Sequence, residues 1–600
     1  MKQIKKLFQL LSPSERKRAV VLLVMVLLMA FLDVLGVASI LPFMAVLASP
    51  ELVQTNSALK TAFQFASTLG ISSTDKFLFA LGILVFVLMI TSLAFKALTT
   101  YAQTRFALMR EYSIGKRLVE GYLSQPYSWF LSRHSANLAK NVLSEVQTII
   151  LSGMVPLMTL IAQTTVALAL LILLLAVDPL LALIIGFVLG LAYVGIYTVM
   201  SGRLKFLGQT RTTANQVRFK SVTEAFDAVK EVKVGGLEQT YLERFSKPAK
   251  IYAKGLAAAQ LIAQLPRFAL EAVAFGGMLL LLLYLMVKSD SFADVVPVVA
   301  LYALAGYRLM PALQQIYQAM TQLRFSGPAL DALYRDLTNL ETPNAQHLQI
   351  VPLQFTEAIC LEKVNYRYPD ASRSALKCVN LSIVANSTVG FVGTTGSGKT
   401  TIVDIILGLL EPQEGQLCVD GQTITAESQR QWMQAIGYVP QNIYLSDDSV
   451  TGNIAFGVGA DNINQDSVIR AAKIAQLHEF VCNELENGYS TIVGERGVRL
   501  SGGQRQRIGI ARALYHDPQV LILDEATSAL DNLTEKAVMD AVLNLKHDMT
   551  VILIAHRLSS VRYCDQIYLL EKGEVKAQGT FEELTENNKL FKSMVIGASN

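Results

Sequence analysis

Hydrophobic and polar positions follow two different patterns along the chain. Six apolar runs in the first half are long enough to cross a hydrocarbon core, which takes about 20 mostly apolar residues per helix. These runs are residues 19–48, 77–100, 148–177, 179–200, 268–287 and 295–313. The pattern therefore predicts six transmembrane helices in the first half of the chain.

The connections between these runs predict which side of the membrane they occupy. Short turns join the third run to the fourth and the fifth to the sixth, whereas residues 105–140 and 203–254 are long, polar and rich in Lys and Arg. By the positive-inside tendency, these two connections and both termini are cytoplasmic. Apolar positions recur at helical spacing, without proline, in residues 110–123 and 216–234, so we expect the helices to extend into the cytosol.

Two polar segments flank the first apolar run. Residues 1–18 are basic with weak apolar periodicity, and because no small-residue cleavage site follows the run, they favour an interfacial helix over a signal peptide. Residues 51–73 carry Leu52, Leu59 and Phe63 near helical spacing. This external segment fits a short amphipathic helix on the outer surface and, equally, an ordinary loop.

The second half of the chain shows a different pattern. From about Thr342, short β-rich runs alternate with helices, as in an α/β domain. A polar linker at residues 341–351 separates the two halves. We therefore divide the chain into a six-helix transmembrane domain with long cytoplasmic helical loops, residues 1–340, and a cytosolic α/β domain, residues 341–600.

Composition and charge support this division. The 600 residues are 52% hydrophobic and 17% charged, which is too apolar for one soluble domain. Residues 1–330 carry 30 Lys+Arg against 16 Asp+Glu, and the remainder carries 22 against 32. Because the basic surplus lies between apolar runs, it is typical of membrane-flanking charge, and we expect no nucleic-acid partner. All five cysteines lie in the acidic half without a C-x-x-C pair, which predicts a reduced domain without disulfides or zinc.

A glycine-rich loop follows a predicted buried strand and opens an apolar helix. It matches the P-loop pattern, in which backbone N–H groups at a helix N-terminus surround phosphates. Lys399 is predicted to reach the terminal phosphates, and the Thr400 hydroxyl to bind Mg²⁺. The predicted phosphate-binding residues are Gly393, Thr394, Thr395, Gly396, Ser397, Gly398, Lys399, Thr400 and Thr401.

A second buried strand, residues 520–523, is followed by two carboxylates. Asp524 is predicted to hold Mg²⁺ directly or through water, and Glu525 to polarise the attacking water in phosphoryl transfer. A helix cap explains one acidic residue at such a position, but it does not explain a pair after four apolar residues.

Between these segments, Leu500-Ser501-Gly502-Gly503-Gln504 leads into an alanine-rich helix. This stretch resembles the signature motif of the ATP-binding cassette (ABC) transporters, and the other motifs of that family fall in order around it. The resemblance covers residues 358–579. It implies a multi-pass α-helical membrane domain of exporter type fused to an α/β P-loop ABC ATPase domain, with ATP and Mg²⁺ as cofactors.

The resemblance also implies roles for matching residues. Tyr368 looks like the aromatic residue that stacks on adenine, with Tyr366 as a weaker candidate. Gln441 is similar to the glutamine that senses Mg²⁺ and water, and His556 to the switch histidine. The implied catalytic residues are Glu525, His556 and Gln441, and the implied metal-binding residues are Thr400, Gln441 and Asp524.

The same resemblance implies a second cassette. In the family, the signature residues of one cassette complete the γ-phosphate site of the other, and a loop ending at the position of Asp531 crosses the dimer. The signature residues here are Ser501, Gly502, Gly503 and Gln504. Because one chain carries one cassette, two chains are needed, most simply a homodimer.

Three cations fall within or beside the predicted transmembrane helices. Lys96, Arg267 and Arg308 lie at depths from mid-bilayer to the inner head groups, where charges mark functional sites by default. Together they can hold an anionic phosphate head group from the inner leaflet. The structural alternative is that Arg267 pairs with Glu271, that Lys96 snorkels to the interface, and that Asp33 pairs with a cation.

The segments around these cations resemble the bacterial lipid-linked oligosaccharide flippases. The matching segments are Leu41-Pro42-Phe43, Lys96-Ala-Leu, Leu265-Pro266-Arg267 and Tyr307-Arg308-Leu309-Met310-Pro311. That family has arginine where Lys96 stands here, and the change keeps the charge but loses bidentate geometry.

The flippase resemblance implies the function. It implies ATP-driven movement of a lipid-linked oligosaccharide, of polyprenyl-pyrophosphate type, to the outer leaflet of the bacterial inner membrane, with the ATPase domain in the cytoplasm. The alternative is an ABC exporter of peptides or amphipathic drugs or lipids. The six predicted spans disfavour a mechanical ABC ATPase acting on DNA or ribosomes. A span beginning near Ala19 leaves no room for the peptidase of a processing exporter.

Overall fold

The computed structural model of the chain describes residues 2–68, 71, 73–177, 179–288, 292–340, 351–369, 371–494, 497–525, 532–543, 549–555, 558 and 560–598. The chain divides into two compact units. The first comprises Met1–Gln125 and Arg133–Pro343, and the second comprises Pro126–Ser132 and Asn344–Asn600. The short segment Pro126–Ser132 thus belongs to the second unit, although residues of the first unit precede and follow it in the sequence.

The first part of the chain is helical almost throughout. Its helices are α1 (Lys2–Gln9), α2 (Pro13–Ala38), α3 (Ile40–Ala48), α4 (Leu52–Thr55), α5 (Ser57–Thr68), α6 (Thr74–Leu123), α7 (Tyr127–Leu131), α8 (Ser135–Lys140), α9 (Val146–Ile149), α10 (Val155–Val177), α11 (Pro179–Asp227), α12 (Val229–Val234), α13 (Glu238–Lys288) and α14 (Phe292–Asn339). Two π-helical segments, Asn141–Glu145 and Ile150–Met154, flank α9. Such segments are rare and mark local irregularity in the helix that enters α10.

Six of these helices contain all or most of one predicted transmembrane run each: α2, α6, α10, α11, α13 and α14. Four of the six are 48 to 51 residues long. At 1.5 Å per residue they extend over roughly 70 Å, far beyond a hydrocarbon core, so the predicted extension into the polar connections is confirmed. Over the described residues, three stretches are long and apolar enough to span a membrane, namely Pro13–Leu47, Thr74–Leu123 and Ser135–Ala176.

The first predicted run is divided into two helices. The chain leaves α2 at Ala38 and restarts at Ile40, so Pro42 falls in the first turn of α3, where its missing N–H removes no helical hydrogen bond. Residues 51–73 fitted either a helix or a loop, and the helix α5 within them confirms the first interpretation.

Apolar side chains of α2, α10 and α14 form a buried core in the first unit, with Val26, Leu170 and Ala305 among them. The predicted N-terminal helix is present as α1, but Leu7 is buried within the unit and Lys6 bonds to Asp331 of α14. Protein contacts therefore cover Leu7, whereas Ile4 and Phe8 of the same helix are exposed.

The second unit alternates strands and helices. Its strands are β1 (Ala358–Tyr366), β2 (Leu376–Val384), β3 (Thr388–Gly393), β4 (Glu414–Val419), β5 (Gln422–Thr423), β6 (Ile436–Val439), β7 (Val520–Asp524), β8 (Thr550–Ile554), β9 (Gln566–Glu571) and β10 (Glu574–Gly579). Its helices are α15 (Lys399–Ile406), α16 (Gln429–Gln434), α17 (Val450–Ile454), α18 (Gln465–Ile474), α19 (His478–Asn483), α20 (Gly502–Leu514), α21 (Asn532–Leu543), α22 (Phe581–Asn587) and α23 (Lys589–Ala598).

These strands form two sheets. The smaller is antiparallel in the order β2-β1-β4-β5, and the larger has the order β10-β9-β3-β8-β7-β6, with parallel pairing from β9 to β6. Strands β7 and β8 are buried at every position, as expected for parallel strands covered on both faces. Because parallel strands share a carboxyl edge, the ends of β3 and β7 lie at the same edge of the sheet, where ligands bind in α/β folds.

Candidate functional site

The glycine-rich loop joins the carboxyl end of β3 to the start of α15. Gly396 and Gly398 have φ angles of +78° and +105°, which favour glycine. A Cβ at Gly398 would approach Leu376 Cδ2 to 2.8 Å and Ala375 O to 3.0 Å, so the chain also passes too close for a side chain. The loop therefore exposes backbone N–H groups at the N-terminus of α15, the arrangement that binds phosphates.

Lys399 is the first residue of α15 and folds back over the loop. Its Nζ donates to the carbonyl oxygens of Gly393, at 2.7 Å, and Thr394, at 3.3 Å. Burial lowers the pKa of Lys399, and the nearby carboxylates of Glu525 and Asp524 partly offset that effect. The ammonium group thus lies between the loop and the two carboxylates that the sequence singled out.

The two carboxylates at the end of β7 occupy different environments. Asp524 is buried, whereas Glu525 is partly exposed and has a left-handed φ of +51°. A non-glycine residue in this conformation carries strain that clusters at functional sites. Glu525 Oε2 accepts a 2.6 Å hydrogen bond from Gln441 Nε2. The structure therefore brings Asp524, Glu525 and Gln441 to the edge of the sheet that carries the glycine-rich loop.

The tyrosine predicted to stack on adenine lies beside α15. The Tyr368 hydroxyl is 3.1 Å from Thr401 Oγ1, and its ring meets Tyr366 edge-on at a centroid distance of 5.1 Å. Tyr368 is half-buried, so part of its ring is accessible at the side of the phosphate loop.

Sequence reasoning missed two groups that surround Asp524. Burial raises the pKa of Asp404 on α15 to about 6, and the charge of Asp524 adds to this effect. Burial raises the pKa of Tyr438, and the charge of Asp524 adds to this effect. The Tyr438 hydroxyl is also hydrogen-bonded to Asp524. Tyr438 could have been found from the sequence, because it lies three residues before the predicted site residue Gln441. Asp404 could not, because it is only one polar position on an apolar helix.

The residues of this edge fit a nucleoside triphosphate. Ser397 is 2% exposed, and its Oγ has no hydrogen-bond partner among the described residues. A buried hydroxyl without a partner calls for a polar ligand atom, and a phosphate oxygen is one that it satisfies. Open space surrounds the position of a Cβ on Gly396, so the loop has room for phosphate next to its backbone.

The same edge fits Mg²⁺. Thr400, Gln441 and Asp524 supply oxygen donors, and Mg²⁺ in nucleotide sites is bound by one or two carboxylates together with phosphates and water. Within the described residues, no group of three or more His, Cys, Asp or Glu side chains can hold a metal on its own. The donor set therefore suits a metal that arrives with nucleotide.

The signature residues form the N-terminus of α20. Ser501 Oγ accepts a 3.2 Å hydrogen bond from the Gln504 N–H, and Gln504 Oε1 accepts a 2.8 Å bond from the Ser501 N–H. This reciprocal cap places Gly502 and Gly503 in the first turn, at the positive end of the helix dipole. Two other predicted site residues, Asp531 and His556, lie outside the described residues.

The first unit contains a buried charge cluster centred on Asp33, which is 1% exposed. Asp33 Oδ1 accepts 2.5 Å hydrogen bonds from Ser92 Oγ and from Arg308 Nη1. Lys96 Nζ lies 3.9 Å from Asp33 Oδ2. Two of the three predicted substrate cations, on α6 and α14, therefore meet one carboxylate of α2. Ser92 was missed, although it lies one helical turn before Lys96.

Arg267 has a different partner. Its Nε donates a 2.7 Å hydrogen bond to Glu271 Oε1, one turn along α13, and the arginine is exposed within the unit. The pairing that the i, i+4 spacing indicated is therefore confirmed. The structure does not bring Arg267 into the contacts of the Asp33 cluster.

An apolar cavity of about 360 Å³ lies between α10, α11 and α14. It begins at Leu309, next to Arg308, and follows α14 as far as Met320. Tyr193 and Tyr317 line this cavity, and their hydroxyl groups are buried without a hydrogen-bond partner among the described residues. The cavity is large enough for part of a small ligand or a segment of an apolar chain.

A long-helix membrane unit followed by a P-loop ATPase unit with these motifs defines the class of ABC transporters. Residues 52–312 match the family model of the ABC transporter transmembrane region, and residues 376–528 match that of the ABC transporter. A bacterial Atm1-family ABC exporter, solved with ATP bound, superposes with a TM-score of 0.78 over 98% of each chain at 24% identity. This likeness establishes the exporter fold.

Relatives of known name cover most of the chain. The ATP-dependent lipid A-core flippase of Cupriavidus pinatubonensis is 30% identical over 79% of this chain and 80% of its own length. The ATP-dependent lipid A-core flippase of Alkalilimnicola ehrlichii is 31% identical over 80% of this chain and 82% of its own length. The leukotoxin translocation ATP-binding protein LktB of a Pasteurella haemolytica-like species is 38% identical, but over 48% of this chain and 40% of its own.

The chain belongs to the ABC transporters, as a half-transporter of the exporter type close to the lipid A-core flippases and Atm1-family exporters. It is an ATP-binding membrane ATPase that couples ATP hydrolysis to transport. The expected fold class, a helical membrane domain fused to an α/β ABC ATPase domain, is confirmed.

Proposed function

We propose that this half-transporter is a flippase for a polyprenyl-pyrophosphate-linked oligosaccharide, which it moves from the inner to the outer leaflet of the bacterial inner membrane. The observation that carries the proposal is the convergence of Arg308 and Lys96 on Asp33. Two cations against one carboxylate leave a surplus of positive charge inside a membrane unit. Such a surplus suits a phosphate-bearing head group.

The apolar cavity beside Arg308 supports a lipid cargo. Leu309, the residue after Arg308 on α14, lines this cavity, so the helix that carries Arg308 also offers an apolar space for part of a hydrocarbon chain. The two tyrosine hydroxyls in the cavity supply hydrogen-bond donors for oxygen atoms of a lipid. The relatives aligned over most of the chain are named as flippases of lipid A-core, which also favours a lipid.

The ATP site performs its chemistry with residues of two cassettes. Lys399, Ser397 and the loop N–H groups bind the phosphates, and Glu525, positioned by Gln441, orients the attacking water and takes its proton. Thr400, Asp524 and Gln441 would hold Mg²⁺, which would supply neutralisation of the phosphate charge. We assign the switch role to His556 and the dimer-crossing role to Asp531, following the family motifs.

The partner in this proposal is a second copy of the same chain. The N-terminus of α20, with Ser501 to Gln504, faces the γ-phosphate bound by the partner's loop, so each ATP lies between two cassettes. A capped helix N-terminus with glycines in its first turn is suited to this contact because its backbone approaches phosphate closely.

A peptide or drug exporter receives less support. The toxin-translocating relatives align with about half of this chain, a share similar to that of the ATPase domain. Their similarity therefore covers too little of the chain to support a shared cargo. A buried cluster with surplus positive charge also favours an anionic head group over a neutral or cationic drug.

Replacing Lys96 and Arg308 by glutamine tests the proposal, because these are the two cations that meet Asp33. We expect lipid flipping and lipid-stimulated ATPase to fall by roughly two to four orders of magnitude, because two charge-assisted contacts are each worth about 1.5 to 3 kcal/mol. Basal hydrolysis should remain, since the ATP site is untouched.

Both cations share Asp33 as their acidic partner, so a matched variant controls for a stranded charge. It carries the same two changes together with Asp33→Asn, and it should lose flipping in the same way while folding normally. Wild-type flipping by the folded double variant would remove the phosphate-binding role and favour the peptide or drug exporter.

A further inference from the structure

The two oxygen atoms of Asp33 have unequal surroundings. Oδ1 receives both short hydrogen bonds, from Ser92 and Arg308. Oδ2 is buried and has no hydrogen-bond partner among the described residues, and its contact with Lys96 is an ion pair at 3.9 Å. Arg308 is therefore firmly engaged by Asp33, whereas Lys96, with 36% of its side chain exposed, is held loosely.

This arrangement makes Asp33 a competitor of any anion that approaches Arg308. A guanidinium group carries five N–H donors, and the contact with Asp33 already uses the Nη1 side of the group. An incoming anion must share Arg308 with a tethered carboxylate or displace it. Displacement leaves the buried carboxylate with only Ser92 and the loosely held Lys96, which is unfavourable.

The charge of the incoming head group decides this competition. A phosphodiester has a single negative charge, as the Asp33 carboxylate does, so exchanging one for the other gains little and strands Asp33. A pyrophosphate diester has two negative charges and more acceptor oxygens, so it can contact Arg308 and Lys96 together while Asp33 keeps part of its contact. Repulsion by a fixed anion is a general way to reject the wrong ligand.

We propose that Asp33 is a specificity-determining residue of the membrane unit, which excludes lipids with one negative charge from the site formed by Lys96 and Arg308 and so reserves that site for pyrophosphate-linked lipids. This inference rests on the proposed function and adds to it the reason why monoanionic phospholipids, which surround the protein in a membrane, do not occupy the site.

Asp33→Asn tests this inference in the full-length protein, reconstituted in vesicles of neutral phosphatidylcholine. The two probes are a polyprenyl-pyrophosphoryl sugar and a polyprenyl-phosphoryl sugar, which share the tail and differ by one phosphate. Stimulation of the ATPase is measured against the concentration of each probe. Wild type should respond to the pyrophosphate lipid alone, and Asp33→Asn should respond to both.

The expected size of the change follows from the contact that becomes available. One charge-assisted hydrogen bond to Arg308 should lower the half-stimulating concentration of the monophosphate lipid by about 10- to 100-fold. Asp75→Asn is the matched control, because it removes an exposed carboxylate from the first turn of α6, 21 residues before Lys96. It should keep the selectivity of wild type.

A third variant separates charge from local disruption. Ser92→Ala removes a hydrogen bond to Asp33 but keeps every charge, so it should still reject the monophosphate lipid. If Asp33→Asn does not fold, the variant Asp33→Asn with Lys96→Gln restores the net charge of the cluster. It too should accept the monophosphate lipid, because Arg308 has lost its competitor.

The outcomes distinguish this inference from the proposed function. Continued rejection of the monophosphate lipid by the folded Asp33 variants, with a normal wild-type response to the pyrophosphate lipid, overturns the role of Asp33 alone. Loss of selectivity in Ser92→Ala to the same extent as in Asp33→Asn also overturns it. A wild-type protein that responds to neither probe overturns the proposed function itself.

Discussion

At the scale of single residues, the ATP site depends on a carboxylate held in a strained position. Glu525 has a left-handed backbone, and its side chain accepts a hydrogen bond from Gln441 at 2.6 Å. Strain of this kind persists only where surrounding structure fixes it, and here the neighbouring strands β7 and β8 do so. The carboxylate is thereby aimed at the edge of the sheet where the phosphates bind.

We expect Glu525→Gln to retain ATP binding and to lose at least about 100-fold in turnover, because the phosphate loop is unchanged while the group that orients water is lost. Nucleotide affinity and steady-state hydrolysis should be measured on the same preparation. Glu411→Gln, an exposed change in the same unit, is the control. An active Glu525→Gln enzyme would remove Glu525 from this role.

Asp404 gives a prediction about stability and pH. Its pKa is about 6 in the folded chain against an ordinary 3.8, so the folded state holds the proton more tightly. The free energy of unfolding therefore falls as pH rises from about 4 to about 6, and the penalty is complete above that range. The difference between these two pKa values lowers the free energy of unfolding by about 3 kcal/mol at most.

Asp404→Asn should therefore raise the free energy of unfolding at pH 7.5 by up to about 3 kcal/mol. The increase should be much smaller at pH 5. Thermal unfolding of the variant and of wild type at both pH values checks this, because pH effects elsewhere cancel in the comparison. An equal gain at the two pH values would contradict the assignment of the penalty to ionised Asp404.

Single residues also show where sequence reasoning succeeds and where it stops. Lys399, Asp524 and Glu525 were predicted to act in phosphate binding and phosphoryl transfer because each belongs to a motif that directly follows a predicted buried strand. The pairing of Asp33 with Arg308 joins residues on α2 and α14. The sequence predicted that Asp33 pairs with a cation but did not indicate which one, because the pairing depends on how the helices pack.

At the scale of elements, α11 and α14 together form most of the apolar cavity. Gly190 lines this cavity, and open space surrounds the position of a Cβ built on it. A larger side chain at Gly190 thus fills the cavity without a clash. Gly195 lies on the same helix, with similar open space, but it is not a lining residue.

We expect Gly190→Leu to weaken lipid-stimulated ATPase activity by about tenfold, because it displaces part of a bound hydrocarbon chain, and Gly195→Leu to have little effect. Half-stimulating concentrations of the pyrophosphate lipid for the two variants provide the comparison. Equal responses of both variants would show that the cavity does not hold the lipid chain.

The apolar runs predicted the number of long helices, and helical spacing in residues 110–123 and 216–234 predicted that α6 and α11 extend beyond those runs. The continuation of α14 as far as Asn339 was not predicted. Apolar runs mark the part of a helix that lies in lipid, whereas its continuation is stabilised by neighbouring helices through contacts that a single sequence does not reveal. The restart at Ile40 was missed for a similar reason, since an unbroken apolar run hides a helix end.

At the scale of the whole molecule, the proposed arrangement of two shared ATP sites requires two chains. Chains with Lys399→Ala and chains with Ser501→Arg should each be inactive alone, because each lesion damages both sites of its own dimer. In a mixed dimer the two lesions fall in the same composite site, so the other site is intact. Purified mixed dimers should therefore regain hydrolysis.

The level of recovery has a matched standard. A mixed dimer of wild type with Lys399→Ala also has one intact site, so it should hydrolyse ATP at the same rate as the mixed dimer of the two variants. An active standard beside an inactive mixture of variants would contradict the shared site between cassettes.

We propose that ATP hydrolysis by this protein moves a pyrophosphate-linked glycan lipid across the membrane. The most direct measurement uses vesicles that contain the protein and a labelled polyprenyl-pyrophosphoryl oligosaccharide, with an impermeant reagent that modifies glycan in the outer leaflet. ATP added outside energises the chains whose ATPase units face outward, so the accessible glycan should decrease with time in wild type and not in Glu525→Gln. Unchanged accessibility, in vesicles where the same protein moves a peptide or dye with ATP, would contradict the account.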